Sequence, residues 1–267
     1  MILKSALFFL VAFHSVGRIV CAFDQTHGAW TQVLKRYQTP DGRVRYKQLK
    51  GDFGEPNHPL SQYLRTVSEV KKTEFDSWRR ELQMSFLINS YNAFTVKLIL
   101  DNYPVKGIKS TVGFLKSPWK KEYFSLLDGT IKTLDPIEHD ILRPKYKDAR
   151  VHAAVNCASV SCPRLFADAF VGDRLEAQLE TAFKDFLWDK TRNRYEPQNN
   201  KIYLSKIFDW FGDDFKEPYG GYLKLIEKLG PPDAKAAIAK GAKVEFLTYD
   251  WGLNESTEGI ASTLPTN

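Results

Sequence analysis

The chain has 267 residues, 38 Lys+Arg against 32 Asp+Glu for a formal net charge of +6, and 13% aromatic residues. Such a composition predicts a packed globule and excludes a disordered chain. A charge excess this mild excludes a dedicated nucleic-acid binder, and no repeat at solenoid periods is visible.

Residues 1–22 read as an export signal. Lys4 opens it, "ALFFLVAF" supplies an apolar core, and "VCA" offers small residues before Phe23. Arg18 interrupts the run, which is too short for the roughly 20 apolar residues of a membrane span. Cleavage after Ala22 is therefore expected, with no integral span afterwards and a periplasmic or secreted location. Removing Lys4 and Arg18 leaves 36 Lys+Arg (38 − 2) against 32 Asp+Glu, a mature charge of +4. Cys21 also leaves, so Cys157 and Cys162 remain in a compartment that permits disulfides.

A single globular domain is expected over residues 23–254, with a frayed tail over 255–267. A helix is predicted from Trp30 to Tyr37, then the turn "PDG" and an extended "RVRY". "HPLSQYLRTVSEV" predicts a second helix with Leu60, Tyr63, Leu64 and Val67 along one face. A third begins near Thr73 and runs to Asp101. It is apolar almost all round and so must be buried, which obliges Ser85, Asn89 and Asn92 on one face to find polar partners. Lys106, Lys109, Lys116, Lys120 and Lys121 share a segment with Trp119 and Tyr123 and read as a solvated loop.

"EYFSLLDGTIKTL" predicts a hairpin turning at Asp128-Gly129. "LDPIEHDILRP" predicts a helix capped by Asp135, with Pro136 at its first position and Glu138 completing a capping box. "VHAAVNC" reads as a short strand. "DRLEAQLETAFKDFLWD" reads as an amphipathic helix, "KIYL" as a strand, Ser205 as the cap of a helical turn, and "KVEFLTYDW" as the last strand. Helices around "GYLKLIEKL" and "DAKAAIAK" precede it. The class is helix-rich α+β: a buried central helix packed on a small, mainly antiparallel sheet.

Four motifs, "FLINSYNAFTVKLIL", "LDPIEHDILRP", "VHAAVNCASVSCPRL" and "LSKIFDWFGDDF", stand in the order seen in the family catalogued as domain of unknown function 547, which this chain resembles from about Trp30 to Trp251. The resemblance implies one domain. Similar members are often exported bacterial proteins, others are longer eukaryotic chains with a coiled coil, and no activity is established for the family.

The candidate chemistry centres on "RVHAAVNCASVSCPRLF". One reading is a Cys157–Cys162 disulfide stapling a turn-prone loop, the protein then being a non-catalytic module that binds a small molecule or peptide. Its polar pocket would gather Asn89, Asn92, Glu138, His139, His152 and Asn156, with Arg143 pairing with His139 at i, i+4. The alternative is a hydrolase or acyl transferase, distantly papain- or transglutaminase-like, that uses Cys157 as nucleophile or a Glu138/His pair. Strand parity would turn His152 away from Cys157 and toward Asn89 or Asn92, leaving His139 the freer base. Zinc held by His152, Cys157, Cys162 and His139 or Glu138 is a third arrangement, without regular ligand spacing. No other cofactor is implied. The aromatic segments "IFDWF" and "YDWGLN" read as core, with Asp209 and Asp250 as caps or turn residues.

Overall fold

The computed structural model describes residues 22–256. The signal expected over 1–22, apart from Ala22 itself, and the tail from residue 257 onward lie outside the described residues.

Helix α1 (Gly28–Tyr37) and helix α3 (Pro59–Glu69) form where the apolar spacing predicts them, and the α3 stripe Leu60, Tyr63, Leu64 and Val67 is buried. Between them lies α2 (Tyr46–Asp52), which the extended reading of "RVRY" missed; it buries Tyr46 and Leu49. The expected third helix is two. Helix α4 (Lys72–Ser77) ends at the extended residue Trp78, and α5 begins afresh (Arg80–Asn102). No charged residue stands between Glu81 and Lys97, and every side chain from Gln83 to Val96 is buried. A helix without a polar face must be covered on all sides. Helices α2 and α3 pack on it, and the segments Ile108–Thr111, Pro136–Leu142 and Gly172–Arg174 close the remainder.

Downstream, Pro136–Leu142 winds as a π-helix into α6 (Arg143–Tyr146). The stretch read as a strand is a 3-10 helix, Ala149–Ala153. Asp148 decides this: its carboxylate accepts from Arg150 N at 3.0 Å and grips the same guanidinium, fixing a tight turn where alternation suggested extension. The hairpin shrinks to one bridge, Leu126 with Ile131. Its loop holds Leu127, Asp128 and Gly129 at φ 51°, 58° and 80°.

Helix α7 (Leu175–Trp188) buries Leu175, Leu179, Ala182 and Phe186 as its periodicity predicts. Strands β1 (Arg194–Glu196), unanticipated, and β2 (Lys201–Leu204) follow, then α8 (Ile207–Trp210), α9 (Lys216–Tyr219), α10 (Tyr222–Leu229), α11 (Pro232–Ala239) and β3 (Lys243–Phe246). Lys206 stands at the N-cap of α8, and Ser205 Oγ accepts from Ile207 N at 3.3 Å. The class is helix-rich α+β. The sheet is mixed, with β1 antiparallel to β2 (Arg194 opposite Tyr203) and β2 parallel to β3 (Lys201 opposite Lys243). It belongs to a second core of Phe183, Phe186, Phe208, Phe215 and Ile226, while α5 sits in the first. The central helix is thus wrapped chiefly by helical segments. Glu255 and Ser256 are still docked, the backbone N–H of Ser256 donating to Val44 O at 2.9 Å.

One buried imidazole couples this core to pH. His27 is 1% exposed, its Nδ1 lies 2.7 Å from Tyr63 Oη, and its Nε2 has no partner. Burial lowers its pKa from 6.5 to about 4, against the pull of Asp24. The unfolded chain therefore takes up this proton first, and the stabilisation present above pH 6.5 is lost as pH falls toward 4. We expect urea unfolding to show a loss of about 2–3 kcal/mol from this window. In His27→Gln the slope between pH 6.5 and 4.5 should flatten; an unchanged slope would assign it elsewhere.

Candidate functional site

The three asparagines expected in the pocket are structural clips. Asn89 Nδ2 donates to Phe170 O at 2.7 Å and its Oδ1 accepts from Phe170 N at 3.0 Å. Asn92 Nδ2 donates to Ala154 O at 2.9 Å, and its Oδ1 accepts from Asn156 N at 2.8 Å. Asn156 in turn accepts from Ala158 N at 2.9 Å and donates to Pro163 O at 2.8 Å. Two amides thus tie α5 to neighbouring backbone, and the third shapes the cysteine loop. Each is spent on buried peptide groups that otherwise lack partners.

The loop is also held from the far end of the chain. Val160 N donates to Gly252 O (2.8 Å), Asn254 N donates to Ala158 O (3.0 Å), and Ser159 bridges Leu253. Asp250 turns that segment by accepting from Gly252 N at 2.8 Å, which answers the turn reading given to it.

A cavity of about 220 Å³ opens beside this loop. Cys157 and Cys162 line it together with Glu138, His139 and His152, so five residues singled out by type do converge. Much of the wall is aromatic: Tyr91, Trp119, Trp210, Phe211, Tyr249 and Trp251. Four of these come from "IFDWF" and "YDWGLN", which sequence reasoning assigned to the core. Trp210 is 43% exposed, unlike a core residue.

The two cysteines are free thiols with their sulfurs 3.2 Å apart. A disulfide needs about 2.05 Å. The permanent staple expected from the sequence is therefore absent, and a thiol–thiol hydrogen bond stands in its place. Cys157 is half-buried and Cys162 buried. The Cys157 sulfur also lies 3.3 Å from Tyr249 Oη, while Cys162 Sγ accepts from the Cys157 backbone N–H at 3.0 Å. The hydrogen bond from Cys162 lowers the Cys157 thiol to about 7, against its burial and with help from Ser159 and Tyr249. Burial, reinforced by Cys157, pushes Cys162 well up. Burial likewise keeps Tyr249 protonated, so its hydroxyl donates to a Cys157 thiolate. The pair is electrically asymmetric.

The second polar wall descends from the π-helix. Glu138 does not complete a capping box, and Asp135 makes no side-chain cap, because Asp135 is itself in helical conformation. Glu138 is 7% exposed, with Oε1 3.9 Å from His152 Nδ1. His152 Nε2 donates to Asp214 Oδ2 at 2.7 Å, and its ring stacks on Phe211 at 4.2 Å. His152 therefore faces carboxylates on both ring nitrogens and not Asn89 or Asn92. The parity argument fails with the strand it assumed. Arg143 grips both oxygens of Asp214 (2.6 and 3.0 Å) and places Nη1 2.7 Å from His139 Nδ1. Burial works against the Asp214 charge, but hydrogen bonds from His152 and Arg143 outweigh it and hold that carboxyl below the usual range. Arg143 is thus engaged by Asp214 and His139 within the protein. Among the described residues, no group of three or more His, Cys, Asp or Glu is arranged to hold a metal ion.

Sequence reasoning missed Asp214 and Tyr249. "GDDF" was in view as a motif, yet nothing local tied Asp214 to His152, 62 residues earlier. Tyr249 reaches Cys157 across 92 residues.

Residues 75–187 match the model of the family described as Protein of unknown function, DUF547, the family the motifs resemble. The match takes in Glu138, His152 and both cysteines, but not Asp214 or Tyr249. No curated protein and no solved structure matches the chain.

Proposed function

With residues 75–187 falling in a family of unknown function, we propose that the protein is a thiol enzyme performing thiol–disulfide exchange, with Cys157 as nucleophile and Cys162 as resolving thiol. The observation that carries this reading is the pair of free sulfurs 3.2 Å apart in the wall of an aromatic cavity, one half-buried and one buried.

The Cys157 thiolate attacks one sulfur of a substrate disulfide. That S–S bond breaks, a mixed disulfide forms, and the departing sulfur leaves as a thiolate that takes a proton from solvent. Burial holds the Cys162 proton in place with Cys157 reinforcing it, and forming the mixed disulfide removes the Cys157 contribution. Cys162 then loses its proton more readily and attacks the Cys157 sulfur, expelling the second substrate thiol. Two electrons pass from the dithiol to the substrate, and an external dithiol restores the pair. The aromatic walls suit an apolar peptide disulfide, and the cavity volume admits one side chain at a time.

A second reading has its own support: Glu138 is a buried carboxylate beside His152 in the cavity that holds Cys157. Cys157 would then carry an acyl group, with the Glu138–His152 pair handling protons. The test is turnover of an aromatic peptide disulfide against a matched thioester. Exchange requires disulfide turnover that Cys157→Ser abolishes. Turnover of the thioester alone would replace it with acyl transfer.

Export forms part of the proposal. Phe23 N lies 3.4 Å from Glu74 Oε1, so cleavage after Ala22 would set a new ammonium beside a carboxylate. N-terminal sequencing of exported material should read Phe-Asp-Gln; retention of residues 1–22 would refute it.

A further inference from the structure

The loop that the sequence assigned to solvent has an unusual tip. Phe114 and Leu115 are 95% and 93% exposed, the most exposed large hydrophobic side chains among the described residues. Leu115 adopts φ +73°, a left-handed conformation that a leucine takes only at a cost. The turn is closed by Lys116 N donating to Gly113 O at 3.1 Å.

The base of the loop is rigid. Leu253 N donates to Lys106 O at 2.8 Å. A side chain at Gly107 would meet Trp251 O at 2.3 Å, so only glycine permits that approach. Trp119 Nε1 donates to Tyr91 Oη at 3.1 Å, and its ring packs edge-on against Trp251. A fixed frame thus presents two apolar side chains to water.

Along this segment the charge is one-signed up to Glu122, which follows it. Residues 105–121 contain Lys106, Lys109, Lys116, Lys120 and Lys121 and no Asp or Glu. None of these lysines pairs with a carboxylate among the described residues; Lys109 instead lies over the Trp251 ring at 3.6 Å.

We propose that the loop of residues 105–121 docks the protein on an anionic phospholipid surface, Phe114 and Leu115 entering the headgroup–acyl boundary while the lysines meet the phosphates. A convex tip of two separate side chains matches a deformable lipid phase better than the complementary pocket that a protein partner would need. The five cations of residues 105–121 outnumber the single flanking carboxylate, Glu122, and supply the attraction to acidic headgroups. Interfacial tryptophans at the base fit the same placement. The inference uses no part of the thiol reading. Trp119 belongs both to this loop and to the cavity wall, so docking would bring the cavity close to the bilayer.

The test follows hydrogen exchange of residues 110–122 in the full chain with vesicles of phosphatidylcholine containing phosphatidylglycerol, and with phosphatidylcholine alone. This local readout is independent of any lipid affinity of residues 1–22. Protection is expected with the anionic vesicles only, reversed by high salt. Phe114→Ser with Leu115→Ser should weaken it at least about tenfold, and Lys116→Glu with Lys120→Glu and Lys121→Glu by about a hundredfold or more. These positions lie on an exposed loop, and unchanged circular dichroism would show that the fold is kept. Absence of protection, equal protection by both vesicles, or protection indifferent to Phe114 and Leu115 would overturn the proposal. Protection by an acidic polypeptide but not by vesicles would do the same.

Discussion

Cys162→Ser is expected to trap the protein as a mixed disulfide with half of its substrate. Serine 3 Å or so from the Cys157 sulfur can donate a hydrogen bond, but it cannot displace a thiol from a disulfide. The first attack therefore proceeds and the second does not. Turnover of a peptide disulfide should fall by at least about a hundredfold, and intact-mass analysis should find the substrate half attached at Cys157. Cys157→Ser should show neither turnover nor adduct, because Cys162 is buried, out of reach of the substrate disulfide, and its burial alone still favours the protonated thiol. The acyl-transfer reading makes the opposite demand, since Cys162 takes no covalent part in it. A Cys162→Ser protein that keeps full activity and forms no adduct would remove the resolving role.

Asn92→Ala should be strongly destabilising although Asn92 does not line the cavity. Asn92 is 2% exposed and serves two buried backbone groups, Ala154 O and Asn156 N. Truncation strands both, each at about 1–3 kcal/mol, so the protein should lose about 2–6 kcal/mol. Both lost bonds lie just before Cys157, so the variant should also loosen the loop that sets the sulfur spacing. Urea unfolding measures the first effect and the alkylation rate of Cys157 the second. A loss below about 1 kcal/mol would mean that water replaces the amide.

Much of the scaffold was legible because burial writes itself into composition. The uncharged run between Glu81 and Lys97 foretold α5, and the spacing of Leu175, Leu179, Ala182 and Phe186 foretold α7. The demand that Asn89 and Asn92 find partners was also met, by backbone rather than by a pocket. Errors arose where one local contact outweighed pattern. Alternation in "VHAAV" suggested a strand, but the Asp148–Arg150 grip made a 3-10 turn. A capping-box signature suggested a stabilising role for Glu138, but the π-helix turned that carboxylate toward His152. The site was half legible: Glu138, His139, His152 and Cys157 stood out by type. Asp214, Trp210 and Tyr249 did not, because they come to the site from segments that build the second core, far along the chain, and no local spacing encodes that approach.

The central claim is that Cys157 is the activated member of an asymmetric dithiol, and alkylation of the reduced, folded protein across pH tests it most directly. Thiolate is the reacting form, so the rate should rise with pH through a midpoint of about 7 and level off above it. Peptide mapping should place the label on Cys157, with Cys162 unmodified until the protein unfolds. A midpoint at the ordinary thiol value near 8.5, or labelling that begins at Cys162, would contradict the account.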